Sequence, residues 1–280
     1  MAQSYTKQLI FGWLRMVHRK MIFFFAAGIT RQNQQIKYNA DNMAQKILNH
    51  IDIEIWNKRH VQFQPHDDVN IIMGINGSGK TTFLKNLYQS LSDDKERKEH
   101  IIYLPSIDNI AMRDKRKTAT ALSQDLDYYI YDMKTGPSLM SFRMSMIDST
   151  EEKQMEMKVK MVDFQKTINK LFSLTGKHIE IEGSKFTVVN DYGTLPVEAL
   201  SSGEMQILLI LLRVFLLNGS EAVVMIDEPE NSLDIEWQFE LVNLLTHLNG
   251  KAQYFITTHS PALFGEGWGD KVWYMENITK

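Results

Sequence analysis

Residues 74–82 read Gly-Ile-Asn-Gly-Ser-Gly-Lys-Thr-Thr, and they stand directly after a short apolar run, Val69 to Met73 (VNIIM). An apolar run that ends on a glycine reads as a buried strand. Over Thr81 to Leu91, Phe83, Leu84, Leu87 and Leu91 recur at helical spacing. Strand, glycine-rich loop and helix in this order form the phosphate-binding loop pattern. Its glycines let the backbone wrap around phosphates, so that N–H groups and a helix N-terminus face negative charge. In such a loop Lys80 reaches the β- and γ-phosphates of ATP and the Thr81 hydroxyl ligates Mg2+. Asn76, Gly77, Ser78, Gly79 and Thr82 complete the nucleotide cradle.

Three later segments belong with this loop. Val223-Val224-Met225-Ile226-Asp227-Glu228 is an apolar run that ends in two acids. Alone it reads equally as a strand-to-turn boundary. Beside a phosphate loop, Asp227 is placed to hold the magnesium, directly or through water, and Glu228 to polarise an attacking water as general base. Leu200-Ser201-Ser202-Gly203-Glu204 precedes an apolar helix over Met205 to Leu217. Alone it is a serine N-cap with a nearby glutamate. Lying between the loop and the acidic strand, it offers a second helix N-terminus, with Ser202, Gly203 and Glu204, for a γ-phosphate. Finally, His259 in Thr258-His259-Ser260-Pro261 follows a strand expected over Tyr254 to Thr257, after the segment Asn231-Ser232-Leu233-Asp234.

The rest of the chain supplies a framework. Ile51, Ile53 and Ile55 alternate with Asp52, Glu54 and Trp56, which predicts a strand, and Val61 to Phe63 pairs back across the polar turn Asn57 to His60. Ile101 to Leu104 resumes as a strand after the solvated connection Ser92 to His100. Residues 108–175 are rich in Met, Lys and Asp, and they read as an inserted helical lobe with Met155, Val159, Val162, Ile168, Leu171 and Phe172 on its buried face. A hairpin is expected around Gly183-Ser184, and a helix over Ile235 to Leu248. Strands alternating with helices predict an α/β fold with a mostly parallel core sheet, an N-terminal antiparallel β portion and the inserted lobe. The expected division is an N-terminal extension over 1–42 and one domain over 43–280.

Composition narrows the classes of function. With 44% hydrophobic and 23% charged residues among 280, the chain is globular in type, and its net charge of −3 gives no general bias to nucleic acid or anionic membranes. It contains no cysteine, which excludes disulfides, zinc-thiolate centres and thiol nucleophiles and suits a reducing cytoplasm. Met21 to Ile29 (MIFFFAAGI) follows a basic stretch, yet it is about half the ~20 residues that span a bilayer, so no membrane is expected. A packing helix, a partner-binding segment and an extension upstream of a start at Met43 remain open for it.

Together these motifs, in this order over about residues 47 to 276, resemble an ABC-type P-loop ATPase. The stretches GINGSGKTT, LSSGEMQILLI, IDEPENSLDIEWQ and ITTHSPAL, with Tyr103-Leu104-Pro105-Ser106, resemble its small non-transporter branch of RecF, OLD and PtuA-like DNA-repair and antiphage-defence ATPases. That resemblance implies a homodimer around the ATP and Mg2+, in which Ser202 meets the nucleotide of the opposite copy. It also makes Asn231 to Asp234 a loop along the dimer seam and His259 a switch contacting the γ-phosphate. Larger assemblies stay open. The branch tolerates Ser202 where transporters commonly have glycine, and Gln124 is a guess for the Q-loop. No long coiled coil separates the halves. Ser260 to Lys280 is too short for the TOPRIM nuclease domain of OLD proteins, so a separately encoded effector, a nuclease, is the expected partner. The alternatives are a transporter's nucleotide-binding subunit, against which the long gap from Lys80 to Ser202 stands, and a DNA-repair switch. In the latter, nucleic acid is a partner through Arg113, Lys115, Arg116 and Lys117, which otherwise read as a solvated helix face.

Overall fold

The computed structural model describes residues 48–56, 58–93, 100–111, 113, 119–183, 185–265 and 267–280. The N-terminal extension, the segment Met21 to Ile29, Ser184, Lys115, Arg116, Lys117 and most of the Ser92 to His100 connection lie outside the described residues. Strand β1 (Ile51–Glu54) pairs antiparallel with β2 (His60–Phe63), with Ile51 opposite Phe63 and Ile53 opposite Val61. Those four apolar side chains are buried, whereas Asp52 on the other face accepts hydrogen bonds from His60 Nδ1 at 2.7 Å and Gln62 Nε2 at 2.8 Å. Alternation of this kind leaves one face for the core and one for water.

The central sheet contains β3 (Val69–Met73), β4 (Ile101–Leu104), β8 (Ala222–Asp227), β9 (Ala252–Thr258) and β10 (Val272–Tyr274). Its order is β10-β3-β9-β8-β4, and every neighbouring pair runs parallel. The inner strands β3, β9 and β8 are buried almost throughout, which explains their largely apolar sequences. Val223, Met225, Phe255 and Ile72 turn toward the β1–β2 hairpin and Phe83, Leu84 and Leu87 of helix α1 (Lys80–Ser92). Val224, Ile226, Tyr254 and Ile256 turn toward the opposite core. That core holds α5 (Ser202–Phe215) and α6 (Ile235–Leu248), and nearly all of α5 is buried. A helix apolar on every side requires such an enclosed place.

The inserted lobe consists of α2 (Ala121–Tyr131), α3 (Leu139–Ile147) and α4 (Glu151–Phe172), followed by an antiparallel sheet of β5 (Lys177–Glu182), β6 (Lys185–Asn190) and β7 (Gly193–Leu195). The buried stripe of α4 differs from the one expected. Met157, Met161, Phe164, Ile168, Leu171 and Phe172 are inside, while Met155, Val159 and Val162 are 63%, 62% and 50% exposed. Both stripes satisfy helical spacing at first, but the exposed one meets Lys166 and Asn169 further on, whereas the other stays apolar through Leu171. Continuity over the whole helix decides which face the core takes. Sequence patterning had no signal for β7 or β10, each three residues long, nor for the short α7 (Met275–Ile278).

No helix among the described residues is long and apolar enough to cross a membrane. The lobe is fastened to the core through aromatic contacts, with Phe164 stacked on Phe215 at 4.5 Å between ring centres and Phe142 at 4.9 Å from the same ring. Phe164 is fully buried. Phe164→Ala is therefore expected to cost about 3–5 kcal/mol of unfolding free energy in a urea titration. A loss below about 1 kcal/mol, smaller than any core Phe→Ala in that range, would show that this stack does not hold the lobe.

Candidate nucleotide-binding site

The site grows from the C-terminal ends of three adjacent strands. From β3 the chain enters the loop at Gly74, with Ile75, Asn76 and Gly77 exposed to solvent. Gly77 has φ +80° and Gly79 φ +101°, a left-handed conformation that favours glycine. At Gly79 a close approach adds to this: a Cβ would lie 2.6 Å from Cη2 of Trp56, at the tip of the β1–β2 hairpin. Gly79 is also the N-cap of α1, with no side chain capping that end and no acid in its first turn. The uncapped amides give this end a partial positive charge suited to an anion. Thr82 stands half-buried in the same first turn.

Lys80 is buried, and its Nζ donates to Gly74 O at 2.8 Å and Ile75 O at 3.3 Å. The same nitrogen lies 3.2 Å from Oε1 of Glu228. Glu228 follows β8 with φ +46° and ψ +57°, a backbone that a non-glycine residue adopts only under constraint. Here the constraint is β9, because the Glu228 N–H donates to Thr257 O at 3.0 Å.

Asp227, the last residue of β8, is 1% exposed. Its Oδ1 accepts from Thr81 Oγ1 at 3.0 Å and Thr257 Oγ1 at 2.7 Å. Its Oδ2 is buried with no hydrogen-bond partner. Burial pushes the carboxyl above the ordinary range, the hydroxyls of Thr257 and Thr81 pull it back, and the nearby Glu228 charge adds to the rise. A cation would satisfy both the spare oxygen and the buried charge. Among the described residues no group of three or more His, Cys, Asp or Glu side chains converges on one point. One hydroxyl and one carboxylate, with phosphate oxygens and water for the rest, suit Mg2+ better than an ion needing an all-protein cage.

Directly after the next strand, β9, His259 is 45% exposed. A pocket of about 460 Å³ opens between it and the loop, with Arg59, Gly74, Ser78, Tyr274 and Glu276 among its walls. Sequence reasoning did not single out Glu230, which is buried two residues past Glu228 and bonded to the end of β9. It also missed Thr257 and Trp56. The only available signal was the third acid of Asp227-Glu228-Pro229-Glu230, and that acquires meaning only once β8 and β9 are known to be neighbours.

The segment Ser201 to Glu204 caps α5 from within the chain. Ser201 Oγ accepts from the Glu204 N–H at 3.2 Å, and the Ser201 N–H donates to Glu204 Oε2 at 2.8 Å, a reciprocal capping box. Glu204 Oε1 accepts from Thr175 Oγ1 at 2.6 Å and Lys177 Nζ at 2.8 Å. Burial would raise this carboxyl, but the bonds from Lys177, Thr175 and Ser201 hold it below the usual value. Glu204 is therefore held as part of the turn that presents Ser202. Both its oxygens are engaged inside the protomer, where it shapes the turn. Gly203 is buried as well, since a Cβ there would lie 2.3 Å from Ser232 O. Ser202, by contrast, is exposed at the first turn of α5.

Asn231 donates from Nδ2 to Ser106 Oγ at 3.0 Å, and Ser232 Oγ bonds to Gln206 of α5. Gln124 is buried in α2, where its Nε2 donates to Ala119 O at 2.9 Å. The chain leaving β4 next to β8 carries Ser106 instead. Arg113 pairs with Asp125 and lies 3.7 Å over the ring of Tyr128.

A phosphate loop, an uncapped helix end and two consecutive carboxylates at the end of β8 make up a P-loop nucleotide site of the kind found in AAA-type ATPase domains. The chain belongs to the family described as "AAA domain, putative AbiEii toxin, Type IV TA system", which matches residues 91–265. That span includes Ser202, Asp227, Glu228 and His259 but not the loop at 74–82, which stands on its own pattern and geometry. No curated protein matches the sequence. Solved structures similar to this chain include an SMC head bound to the C-winged helix domain of ScpA (12% identity, TM-score 0.46, 77% of this chain and 90% of that one). Another is cbiO1 from Clostridium perfringens, part of the ABC transporter complex cbiONQ (17% identity, TM-score 0.41, 75% and 78%). A third is Stu0660 of Streptococcus thermophilus (12% identity, TM-score 0.44, 80% and 74%).

The state of Asp227 makes a prediction for the nucleotide-free protein. A carboxyl raised in the fold contributes stability below its unfolded value, and that contribution is lost as pH rises through the folded value. Above the ordinary aspartate range the half-satisfied Asp227 carboxyl therefore costs the apo protein stability. Asp227→Asn is expected to raise the apo melting temperature at pH 7, with the gain vanishing as the pH falls below the ordinary aspartate range. A gain that persists unchanged into acid would contradict the buried charge as its cause.

Proposed function

We propose that this chain binds ATP with Mg2+ at the loop 74–82 and hydrolyses it, acting as the nucleotide-driven subunit of a bacterial defence or DNA-transaction system. The observation that carries this reading is the convergence of Lys80, Thr81, Asp227 and Glu228, linked by distances of 3.0 and 3.2 Å. In the nucleotide-free structure Lys80 has Glu228 as its anion. A triphosphate in the cradle offers Lys80 a stronger partner and releases Glu228. Glu228 then accepts a proton from a water whose oxygen attacks the γ-phosphorus, while the bond from that phosphorus to the β-bridging oxygen breaks and ADP leaves. Thr81 and Asp227 would hold the magnesium, which when bound screens the charge of the phosphates. His259, beside the pocket, would contact the γ-phosphate.

Ser202 supports a head-to-tail dimer as the active form. It is exposed at a helix N-terminus, and an anion presented by a second copy would complete it. ATP binding would close the dimer and hydrolysis reopen it, controlling a separately encoded effector, a nuclease by resemblance to the RecF, OLD and PtuA-like branch. The family description, which names a toxin of a type IV TA system, supports a defence setting. A cytoplasmic location follows from the need for ATP.

Glu228→Gln tests the reading. Turnover is expected to fall by about 10²–10⁴-fold, the usual worth of a general base, while ATP binding persists. The ATP-bound variant is expected to sediment as a dimer. Turnover at the wild-type rate would remove Glu228 from the mechanism, and an ATP-bound monomer would remove the shared site.

A further inference from the structure

Glu230 has its charge in an unusual place. Its side chain is 3% exposed, and a single oxygen, Oε1, gathers Thr258 Oγ1 at 2.7 Å and the His259 N–H at 2.7 Å. His259 Nδ1 lies 3.1 Å from the same oxygen. Oε2 is buried and has no hydrogen-bond partner. A carboxylate needed only to tie two loops together would be satisfied by the backbone N–H and the threonine. The third neighbour is the ring of His259, which faces the pocket beside the phosphate loop.

We propose that Glu230 is the positioning residue of His259, fixing both the direction of the ring and the nitrogen that bears its proton. This inference rests on the nucleotide-hydrolysis reading above. A half-exposed imidazole on a strand end samples several rotamers. An anion buried behind Nδ1 selects one of them and keeps a proton on that nitrogen. Nε2, on the opposite edge of the ring, is then turned away from Glu230 and left free for phosphate oxygens. Because Glu230 lies two residues beyond Glu228, the same short segment carries the water-activating acid and the group that aims the phosphate sensor. The 3₁₀ turn Pro229–Ser232 holds that spacing, with the Asn231 N–H bonded back to Glu228 O.

The test compares Glu230→Gln, His259→Ala and the double variant in the full chain. Glutamine retains an oxygen for Thr258 and the His259 N–H, so melting temperature and ATP affinity are expected to stay near wild type. Its kcat is expected to drop about tenfold, as for lost orientation of one group, and to show no further drop when added to His259→Ala. An equal drop in both backgrounds would assign Glu230 a purely structural tie and overturn the proposal, as would an unchanged kcat in the single variant. A second readout needs no turnover. In ¹⁵N spectra of the nucleotide-free protein, the His259 ring is expected to be protonated at Nδ1 and to become a tautomer mixture in Glu230→Gln. Identical ring signals in the two proteins would refute the coupling even if the wild type proved to hydrolyse nothing, so failure of this inference and failure of the ATPase reading are separable.

Discussion

Parallel strands all end at the same edge of a sheet, and neighbouring strands lie about 4.8 Å apart. In this chain that constraint sets β3, β9 and β8 side by side, so the loops that follow Met73, Thr258 and Asp227 emerge within about 10 Å of one another. A cationic loop thereby meets two carboxylates that are distant in sequence. Asp227 sits where water cannot reach it, with one oxygen held by two hydroxyls and the other unmet. Glu228 is fixed in a left-handed backbone whose cost is about 1–3 kcal/mol for a residue with a side chain. Such tension persists only because β9 and the buried ammonium of Lys80 define the positions from both sides. It leaves Asp227 Oδ2 without a partner and the N-terminus of α1 uncapped, and a magnesium triphosphate would satisfy both.

Around that edge the chain uses each close approach twice. The missing side chain of Gly203 lets the start of α5 rest on Ser232 O, so the helix that presents Ser202 and the loop that follows Glu228 cannot move independently. Glu204 anchors the same turn to Lys177 and Thr175 at the junction of α4 and β5, the far side of which is the lobe. Packed cores shift between discrete arrangements rather than deform smoothly. The 229–232 turn touches α5, whose Phe215 stacks on Phe164 and packs tilted against Phe142 of the lobe.

The order of motifs and the strand-helix alternation were legible because each reflects a local requirement. A phosphate loop needs glycines at positive φ, a doubly covered strand needs unbroken apolar residues, and a capping box needs Ser and Glu three apart. Where the outcome depended on a partner elsewhere in the chain, sequence reasoning stopped short or erred. The two stripes of α4 were separable only by following them to Phe172. The bonds from Lys177 and Thr175 to Glu204 likewise come from residues that no local pattern links to it. Thr257 carries no local signature and Glu230 only that of one more acid after Glu228, since their roles exist only between β8 and β9. Trp56 reads as one residue of an alternating strand, yet it packs against Gly79 across the hairpin.

The account depends on Lys80 sitting ready for phosphate inside the glycine loop, and calorimetric titration of ATP into the wild-type protein and Lys80→Ala tests this most directly. One saturable site per chain is predicted for the wild type. Loss of the buried ammonium is predicted to weaken it by about 10–100-fold, as for a charge-assisted hydrogen bond of about 1.5–3 kcal/mol. Equal affinity in the two proteins, or no binding by the wild type, would contradict it.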